Sequence, residues 1–138
     1  MKHSARFVTF VPMVAIAGLL CTQVPAHWRV IHIVGLAILV PNAVLLTVAR
    51  VQLGNAFSVT PQATSLVTHG IYSRIRNPIY VFSTLLIAGL LLYLNRPWLL
   101  LLLVPLVLLQ LFRAYQESKL LQQHFGDAYR QYKARTWF

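Results

Sequence analysis

Residues 77–112 read NPIYVFSTLLIAGLLLYLNRPWLLLLLVPLVLLQLF, and this stretch decides the fold. Its two runs, 77–95 and 97–112, contain no charged residue, and Arg96 alone separates them. Backbone in a hydrocarbon layer must satisfy its own hydrogen bonds, so both runs are expected to be helical. The short break leaves room only for a tight turn. The sequence therefore predicts a helical hairpin near the C-terminus.

Two further charge-free stretches precede this hairpin. Residues 7–26 and 30–49 each have about the length of helix that crosses a ~30 Å hydrocarbon core. The first could imitate a signal peptide, but its apolar region is too long, and Ala26-His27-Trp28 is a poor cleavage site. We therefore predict an all-α integral membrane protein whose residues 1–138 form a single membrane domain. The four predicted transmembrane helices lie at about residues 7–26, 30–49, 77–95 and 97–113.

The composition also indicates a membrane protein. Hydrophobic residues make up 58% of the 138 residues and charged residues 10%, which is too apolar for an ordinary soluble domain of this size. The net charge of +10 would suggest nucleic acid in a soluble protein. Because the bases lie between and beside apolar runs, we expect anionic membrane lipids as partners and no nucleic acid. A single cysteine and five histidines without metal-ligand spacing predict no metal site.

Basic residues are distributed unequally across the predicted membrane. The opposite side holds Arg29 and Arg96, whereas ten bases fall on the side of the N-terminus. By the positive-inside rule, both termini, the loop 50–76 and the tail 114–138 are expected in the cytoplasm. The ten bases are Lys2, Arg6, Arg50, Arg74, Arg76, Arg113, Lys119, Arg130, Lys133 and Arg135.

The tail is predicted to form cytoplasmic helices. The fourth helix should run beyond the membrane because residues 113–123 contain neither Gly nor Pro. Gly126 is expected to end it as a C-cap, and Asp127 to begin the next helix as an N-cap. That last helix carries Tyr129 and Tyr132 and is amphipathic enough to lie back on the membrane interface.

The loop before the third span concentrates polar residues, and residues 66–80 read LVTHGIYSRIRNPIY. Pro78 can open a helix at its first position, where unpaired N–H groups and the positive end of the helix dipole favour anions. Arg76 beside it can bind a carboxylate through two hydrogen bonds. The alternative for Arg74 and Arg76 is topology anchoring and contact with lipid phosphates.

Other residues of this loop also allow two interpretations. Tyr72 and Tyr80 could contact a ligand or could belong to the aromatic belt of the membrane interface. Gly70 supplies either a turn or a close backbone approach to a ligand. His69 could act as a general base or could simply be hydrogen-bonded.

The chain contains two carboxylates, Glu117 and Asp127. Glu117 lies about one turn beyond the fourth span and therefore emerges on the same side as the polar loop. There it could bind a ligand amine or hydroxyl or balance a sulfonium. The alternative is a surface ion pair with Arg113, worth ~0.3–0.5 kcal/mol. Asp127 is interpreted mainly as a helix cap.

Residues 54–138 resemble the isoprenylcysteine carboxyl methyltransferase and phospholipid methyltransferase superfamily. Residues 76–80, Arg-Asn-Pro-Ile-Tyr, are similar to its Arg-(His/Asn)-Pro-x-Tyr signature, and Ser-Val-Thr-Pro at 58–61 looks like the family's approach to it. Residues 117–132 are similar to the tail Glu-Glu-x-x-Leu, Phe-Gly-x-x-Tyr-x-x-Tyr. Ser118 replaces the second Glu, which weakens any argument that two acids cooperate.

This resemblance implies a membrane methyltransferase (EC 2.1.1 type) that uses S-adenosylmethionine. The cofactor pocket would be enclosed by the signature loop, the hairpin and the C-terminal helices, and a lipophilic acceptor would enter from the bilayer. Asn77 stands where the eukaryotic isoprenylcysteine enzymes have His and is usual in bacterial relatives, which implies a bacterial inner membrane. The resemblance implies catalytic roles for Arg76, Glu117 and Tyr80. It implies cofactor binding by His69, Gly70, Tyr72, Asn77, Pro78, Tyr129 and Tyr132.

The scarcity of acidic residues and of plausible general bases favours a carboxylate acceptor of the isoprenylcysteine type. A carboxylate is already nucleophilic at neutral pH, whereas an amine must first lose a proton. Three alternatives remain: a phospholipid N-methyltransferase, an NADPH-dependent reductase of the sterol type, and a small membrane transporter. The reductase would need more basic contacts for the 2′-phosphate of NADPH. The transporter would be expected to carry an acid within a span, and the predicted spans contain none.

The charge distribution gives a first testable prediction. A reporter that is active only outside the cytoplasm, fused after Phe138, is expected to give no signal, because the positive-inside rule places this end in the cytoplasm. A strong signal in intact cells would contradict both the topology and a site that faces cytosolic S-adenosylmethionine.

Overall fold

The structure, a computed structural model, describes residues 2–54 and 66–137, with side chains from residue 11 onward. Within these residues the predicted all-α architecture is confirmed. Short 3-10 helices at Gly70–Ser73 and Pro97–Leu102 precede the last two helices. The α-helices are α1 (Lys2–Thr22), α2 (Val30–Leu53), α3 (Pro78–Tyr93) and α4 (Leu103–Arg135).

Two helical segments among the described residues are long and apolar enough to cross a membrane. They are Val30–Leu53, with a mean hydropathy of 2.2, and Pro97–Arg135, with 2.0. Val11–Thr22 and Pro78–Tyr93 are shorter apolar helices. Many large apolar side chains, such as Leu108 at 62% exposure, point outward, as expected of a surface in contact with lipid. The four spans and their orientation stay a prediction.

The helix ends differ by a few residues from the predicted spans. α1 ends at Thr22 rather than near residue 26, because Pro25 disfavours helical backbone in the residue before it. α2 continues past residue 49 to Leu53, since no Gly or Pro intervenes before Gly54, whose φ of 51° ends the helix.

The fourth predicted span begins as a 3-10 helix and becomes α-helical at Leu103. Pro105 therefore lies in the first turn of α4, where a missing N–H is tolerated. The helix then runs past residue 113, as predicted. The predicted break is also present, because Gly126 has φ 51° and ψ −118° inside α4. Asp127 forms an exposed ion pair with Arg130 at 3.4 Å.

α2 and α3 form the main packing contact of the described fold, and two glycines make it close. A Cβ atom on Gly35 would clash with backbone atoms of Tyr93 and Gly89, and one on Gly89 would lie 2.6 Å from the Leu39 backbone nitrogen. Small residues allow two helix backbones to approach in this way, which strengthens their van der Waals contact. The contact joins the N-terminal part of α2 to the C-terminal part of α3.

The predicted tight turn joins α3 to the fourth helical segment. The Arg96 backbone N–H donates to the Leu91 carbonyl at 2.9 Å, and Asn95 adopts a positive φ of 54°. Deeper in the hairpin, the Thr84 hydroxyl donates to the Gln110 Oε1 at 2.8 Å. This hydrogen bond connects α3 with α4 inside the predicted spans.

The glycine contact predicts an asymmetric response to added methyl groups. Gly35→Ala and Gly89→Ala should each lower stability by ~1–3 kcal/mol, because the new Cβ must displace backbone of the facing helix. Gly18→Ala is the matched control, since a Cβ at this position of α1 meets nothing within 4 Å. Thermal unfolding of the purified variants in detergent measures the effect. Equal melting temperatures for all three variants would contradict the close α2–α3 contact.

Candidate functional site

The described part of the polar loop, residues 66–77, packs against the adjoining ends of α2 and α3. The buried side chains of Ala49, Tyr72 and Phe82 form a cluster that spans α2, the loop and α3. The Ile71 backbone N–H donates to Gln52 Oε1 at 2.8 Å, which connects the loop directly to the last turn of α2. The loop is therefore held by packing and by a hydrogen bond on one side.

The C-terminal segment after Gly126 holds the loop on its other side. The Tyr132 hydroxyl donates to the Tyr72 carbonyl at 2.8 Å. The Trp137 N–H donates to the Arg74 carbonyl at 3.1 Å, and the Arg76 N–H donates to the Trp137 carbonyl at 3.3 Å. Because Gly126 adopts a conformation that glycine reaches most readily, α4 can change direction there. Residues distant in sequence thereby enclose one space.

That space is a cavity of about 490 Å³, including the solvent at its opening. The loop supplies one wall, the part of α4 before Gly126 supplies a second, and the C-terminal segment after Gly126 supplies a third. The cavity is lined by Leu53, Leu66, Val67, Tyr72, Arg76, Asn77, Glu117, Ser118, Leu121, Tyr129 and Tyr132.

The three tyrosines of the cavity are almost completely buried. Burial raises the pKa of the Tyr72 hydroxyl and raises the pKa of Tyr132 to about 12. Both hydroxyls therefore stay protonated at physiological pH and can donate hydrogen bonds. The Tyr129 hydroxyl lies 2.6 Å from the Ser118 hydroxyl. This hydrogen bond connects the C-terminal segment to the part of α4 before Gly126.

Two buried polar atoms of the cavity residues lack a hydrogen-bond partner among the described residues. They are the Tyr72 hydroxyl and the Arg76 Nε. A buried polar group without a partner costs ~1–3 kcal/mol, and proteins rarely leave one unexplained. Both groups can donate a hydrogen bond. The cavity therefore suits a ligand that carries an acceptor group, such as a carboxylate.

Glu117 supplies the acidic group of the cavity. Burial raises the pKa of its carboxyl above the usual value, while the hydrogen bond from Tyr80 and the charge of Arg113 lower it by less. The Tyr80 hydroxyl donates to Glu117 Oε2 at 3.4 Å. Arg113 thus lies near Glu117, as the predicted alternative requires. Its presence does not exclude that Glu117 also binds a ligand.

The structure brings together most of the residues that the sequence singled out. Pro78 is the buried first residue of α3, and Tyr80 reaches the site through Glu117. His69 and Gly70 are exposed and do not line the cavity. Gly70 has φ 60°, and the Gln52 side chain occupies the space that a Cβ would need, so its described contacts are structural. The cavity lining includes Tyr72, Arg76, Asn77, Glu117, Tyr129 and Tyr132.

Several cavity residues were not predicted from the sequence. Ser118 stands in the sequence as the replacement of an acid, and its position next to Glu117 is the signal that indicates proximity to the site. The apolar lining residues Leu53, Leu66, Val67 and Leu121 carry no chemical signal of their own. Residues 58–61, which contributed to the resemblance, lie outside the described residues.

Comparison with known proteins identifies the family of the chain. A sequence model of the family described as phospholipid methyltransferase matches residues 30–128. The chain belongs to the phospholipid methyltransferase family. The match begins at α2, earlier than the resemblance found in the sequence, and includes the loop and most of α4. No curated protein matches the chain.

Family membership supports methyltransferase activity at a membrane and implies S-adenosylmethionine as the methyl donor. Methyltransferase activity and a membrane location are both consistent with this structure, because a polar cavity lies at the ends of apolar helices. The matched region contains Arg76, Asn77, Pro78, Tyr80 and Glu117 and ends immediately before Tyr129.

The burial of Glu117 predicts how its replacement affects stability. Its folded-state pKa lies above the unfolded value, so folding favours the protonated carboxyl, and this contribution is lost as pH rises through the folded pKa. Glu117→Gln cannot ionise and should be at least as stable as the wild type at neutral pH. Melting temperatures measured from about pH 4 to pH 8 should shift in favour of the variant as pH rises. A large loss of stability at neutral pH would show that the carboxylate supports the fold.

Proposed function

We propose that the protein transfers the methyl group of S-adenosylmethionine to a lipophilic acceptor, in the cavity between the loop, α4 and the C-terminal segment. One observation carries this proposal. The cavity places the Arg76 guanidinium, the Glu117 carboxylate and buried tyrosines together at the ends of apolar helices. A methyl donor with both charges requires a cationic and an anionic group in its site. An apolar acceptor requires access from the membrane.

The cavity residues suit the charges of S-adenosylmethionine. Arg76 and the Tyr72 hydroxyl would bind its carboxylate, because both provide buried donors and a guanidinium binds carboxylates through paired hydrogen bonds. Glu117 would bind its ammonium group or balance its sulfonium. The tyrosine rings can also attract a sulfonium through cation–π contact. These residues would bind and orient a ligand without any metal.

The chain's residues contribute position and exclusion of water. S-adenosylmethionine supplies a methyl group on a sulfonium, and the leaving group needs no protonation. Fixed positioning of two reactants can lower a barrier by up to ~7–11 kcal/mol. The loop and the C-terminal segment provide this rigidity, because Tyr132, Trp137 and Gln52 hold the loop on both sides. Arg76, Glu117 and Tyr80 need no acid–base role for this chemistry.

We propose a carboxylate of an isoprenylcysteine-like molecule as the acceptor. Among the described residues that line the cavity, Glu117 is the one carboxylate and no histidine occurs. His69, the base considered from the sequence, is exposed outside this lining. A carboxylate acceptor is nucleophilic without deprotonation and therefore matches a site that is poor in bases.

An amino-phospholipid is the second candidate acceptor, and two observations favour it. The family description itself names phospholipids. In addition, burial raises the pKa of Glu117, and a carboxylate with a raised pKa accepts a proton more readily from a substrate ammonium group. In this case Glu117 would act as the general base.

Membranes incubated with methyl-labelled S-adenosylmethionine test the reaction and distinguish the acceptors. Label should enter the lipid-soluble fraction of cells that express the protein and stay near background in cells without it. Release of this label by mild base identifies an ester and hence a carboxylate acceptor, whereas stable label identifies N-methylation. No transfer to lipid, together with binding of NADPH in calorimetry, would support the reductase alternative and contradict the proposal.

Substitutions in the cavity test the assignment of residues. Arg76→Ala and Glu117→Gln should abolish most of the labelling while the protein remains inserted and folded. Loss of one charged hydrogen bond costs ~1.5–3 kcal/mol, or roughly ten- to a hundredfold in rate, before any misalignment. If Glu117 served only as an ion-pair partner of Arg113, the loss should stay below about twofold, from the ~0.3–0.5 kcal/mol scale of such pairs.

Arg74→Ala is the matched control for this experiment. Arg74 lies two residues from Arg76 in the same loop but is exposed and does not line the cavity. Its replacement should have a milder effect, because its expected partner is a lipid phosphate. Equal and small effects for all three variants would leave the site assignment without support.

A further inference from the structure

A second cavity lies deeper in the helix bundle and differs in character from the first. It has a volume of about 620 Å³, including open space, and lies between α1, α2 and α3. Its walls are mainly apolar, and its polar groups are Thr47, Arg50 and Ser83. The remaining lining residues are Pro12, Met13, Ile16, Leu46, Leu86 and Ile87.

This apolar cavity continues along the interface between α1 and α2. An adjoining space of about 770 Å³ shares Met13, Ile16 and Thr47 with it and is otherwise lined by apolar residues of the same two helices. The two spaces together form one apolar groove that extends from Arg50 toward Leu20. A groove of this kind between helices suits a hydrocarbon chain.

Arg50 lies at the boundary between the groove and the polar cavity. Its side chain lines the groove, and it lies near Tyr72, whose side chain lines the polar cavity. Thr47 is one turn away from Arg50 on α2, and Ser83 faces it from α3. Polar groups are thus concentrated at the end of the groove that adjoins the proposed methyl-transfer site.

We propose that this groove binds the hydrocarbon chain of an anionic amphiphile, with its carboxylate or phosphate on Arg50. The proposal rests on the proposed function, because this amphiphile is then the methyl acceptor. The groove holds its chain, and Arg50 holds its anionic group beside the polar cavity. A guanidinium suits both anions, since its planar donor groups match carboxylate and phosphate oxygens.

The size of the groove favours a chain over a protein helix as the occupant. An α-helix is about 10 Å wide and rises about 5.4 Å per turn. The larger of the two spaces, about 770 Å³, would therefore hold fewer than ~2 turns of helix. An extended hydrocarbon chain is much narrower and can follow the groove between α1 and α2. Arg50, the one cation among the described residues that line the groove, also matches an amphiphile with one anionic group.

Photolabelling of the purified protein in nanodiscs tests this proposal. The probes are a diazirine-bearing palmitic acid and, in a separate arm, a diazirine-bearing phosphatidylethanolamine; peptide mapping then locates the adducts. The first probe presents a carboxylate and the second a phosphate. Ile16→Trp fills the groove at a residue that lines both of its parts. Val14→Trp is the control, because Val14 lies on the same helix, is 68% exposed and lines neither part.

Adducts of at least one probe should lie on groove residues of α1, α2 and α3. Ile16→Trp and Arg50→Gln should each reduce this labelling about tenfold, the effect of a lost charged contact or of a blocked site, whereas Val14→Trp should not. The probe whose labelling depends on Arg50 identifies the anionic group. Labelling spread evenly over lipid-facing residues of α4, and insensitive to Ile16→Trp, would overturn the proposal.

Binding of S-adenosylmethionine, measured by calorimetry on the same nanodiscs, separates this proposal from the proposed function. Ile16→Trp should leave that binding within about twofold of the wild type, because the groove is distinct from the polar cavity. A wild type that binds no S-adenosylmethionine but labels in the groove contradicts the methyl-transfer function and retains the amphiphile site. A wild type that binds S-adenosylmethionine but shows no groove labelling overturns the amphiphile site alone.

Discussion

The site depends on the packing of α2 against α3, which is close at Gly35 and Gly89. With no side chain between them, the two backbones come close enough that an added methyl group would clash. At the opposite ends of the same two helices, Tyr72 of the connecting loop packs with Ala49 of α2 and Phe82 of α3. The polar groups of the loop are thereby presented on one side of an apolar bundle.

A second constraint closes the site from the C-terminal end. Gly126 redirects α4, and the Tyr132 hydroxyl then meets the Tyr72 carbonyl. Enclosure has a cost, because burial disfavours the ionised carboxylate of Glu117 and leaves the Arg76 Nε without a hydrogen-bond partner among the described residues. Groups of opposite charge buried together in one cavity are expected where a ligand with both charges binds. The same enclosure removes water from the place where we propose that methyl transfer occurs.

Much of this architecture could be predicted from the sequence, because local signals decide it. The helices and the break in α4 follow from local features of the sequence. These features are the charge-free runs, the turn at Arg96, Pro78 and Gly126. The resemblance added long-range information by relating Arg76 to Glu117. The surroundings of Gly70 could not be predicted, since the loop orientation depends on the hydrogen bond from Ile71 to Gln52, which lies nineteen residues before Ile71. Helix periodicity gives the faces of each helix but does not determine how two helices cross.

The central claim is that the polar cavity holds S-adenosylmethionine. Ultraviolet crosslinking with methyl-labelled S-adenosylmethionine, followed by peptide mapping of the purified protein, tests it most directly. We expect label on peptides that contain Tyr72 to Asn77 or Glu117 to Tyr132, and we expect it to be removed by excess unlabelled S-adenosylmethionine and retained with excess NADPH. Label confined to other peptides, or removed by NADPH alone, would contradict it.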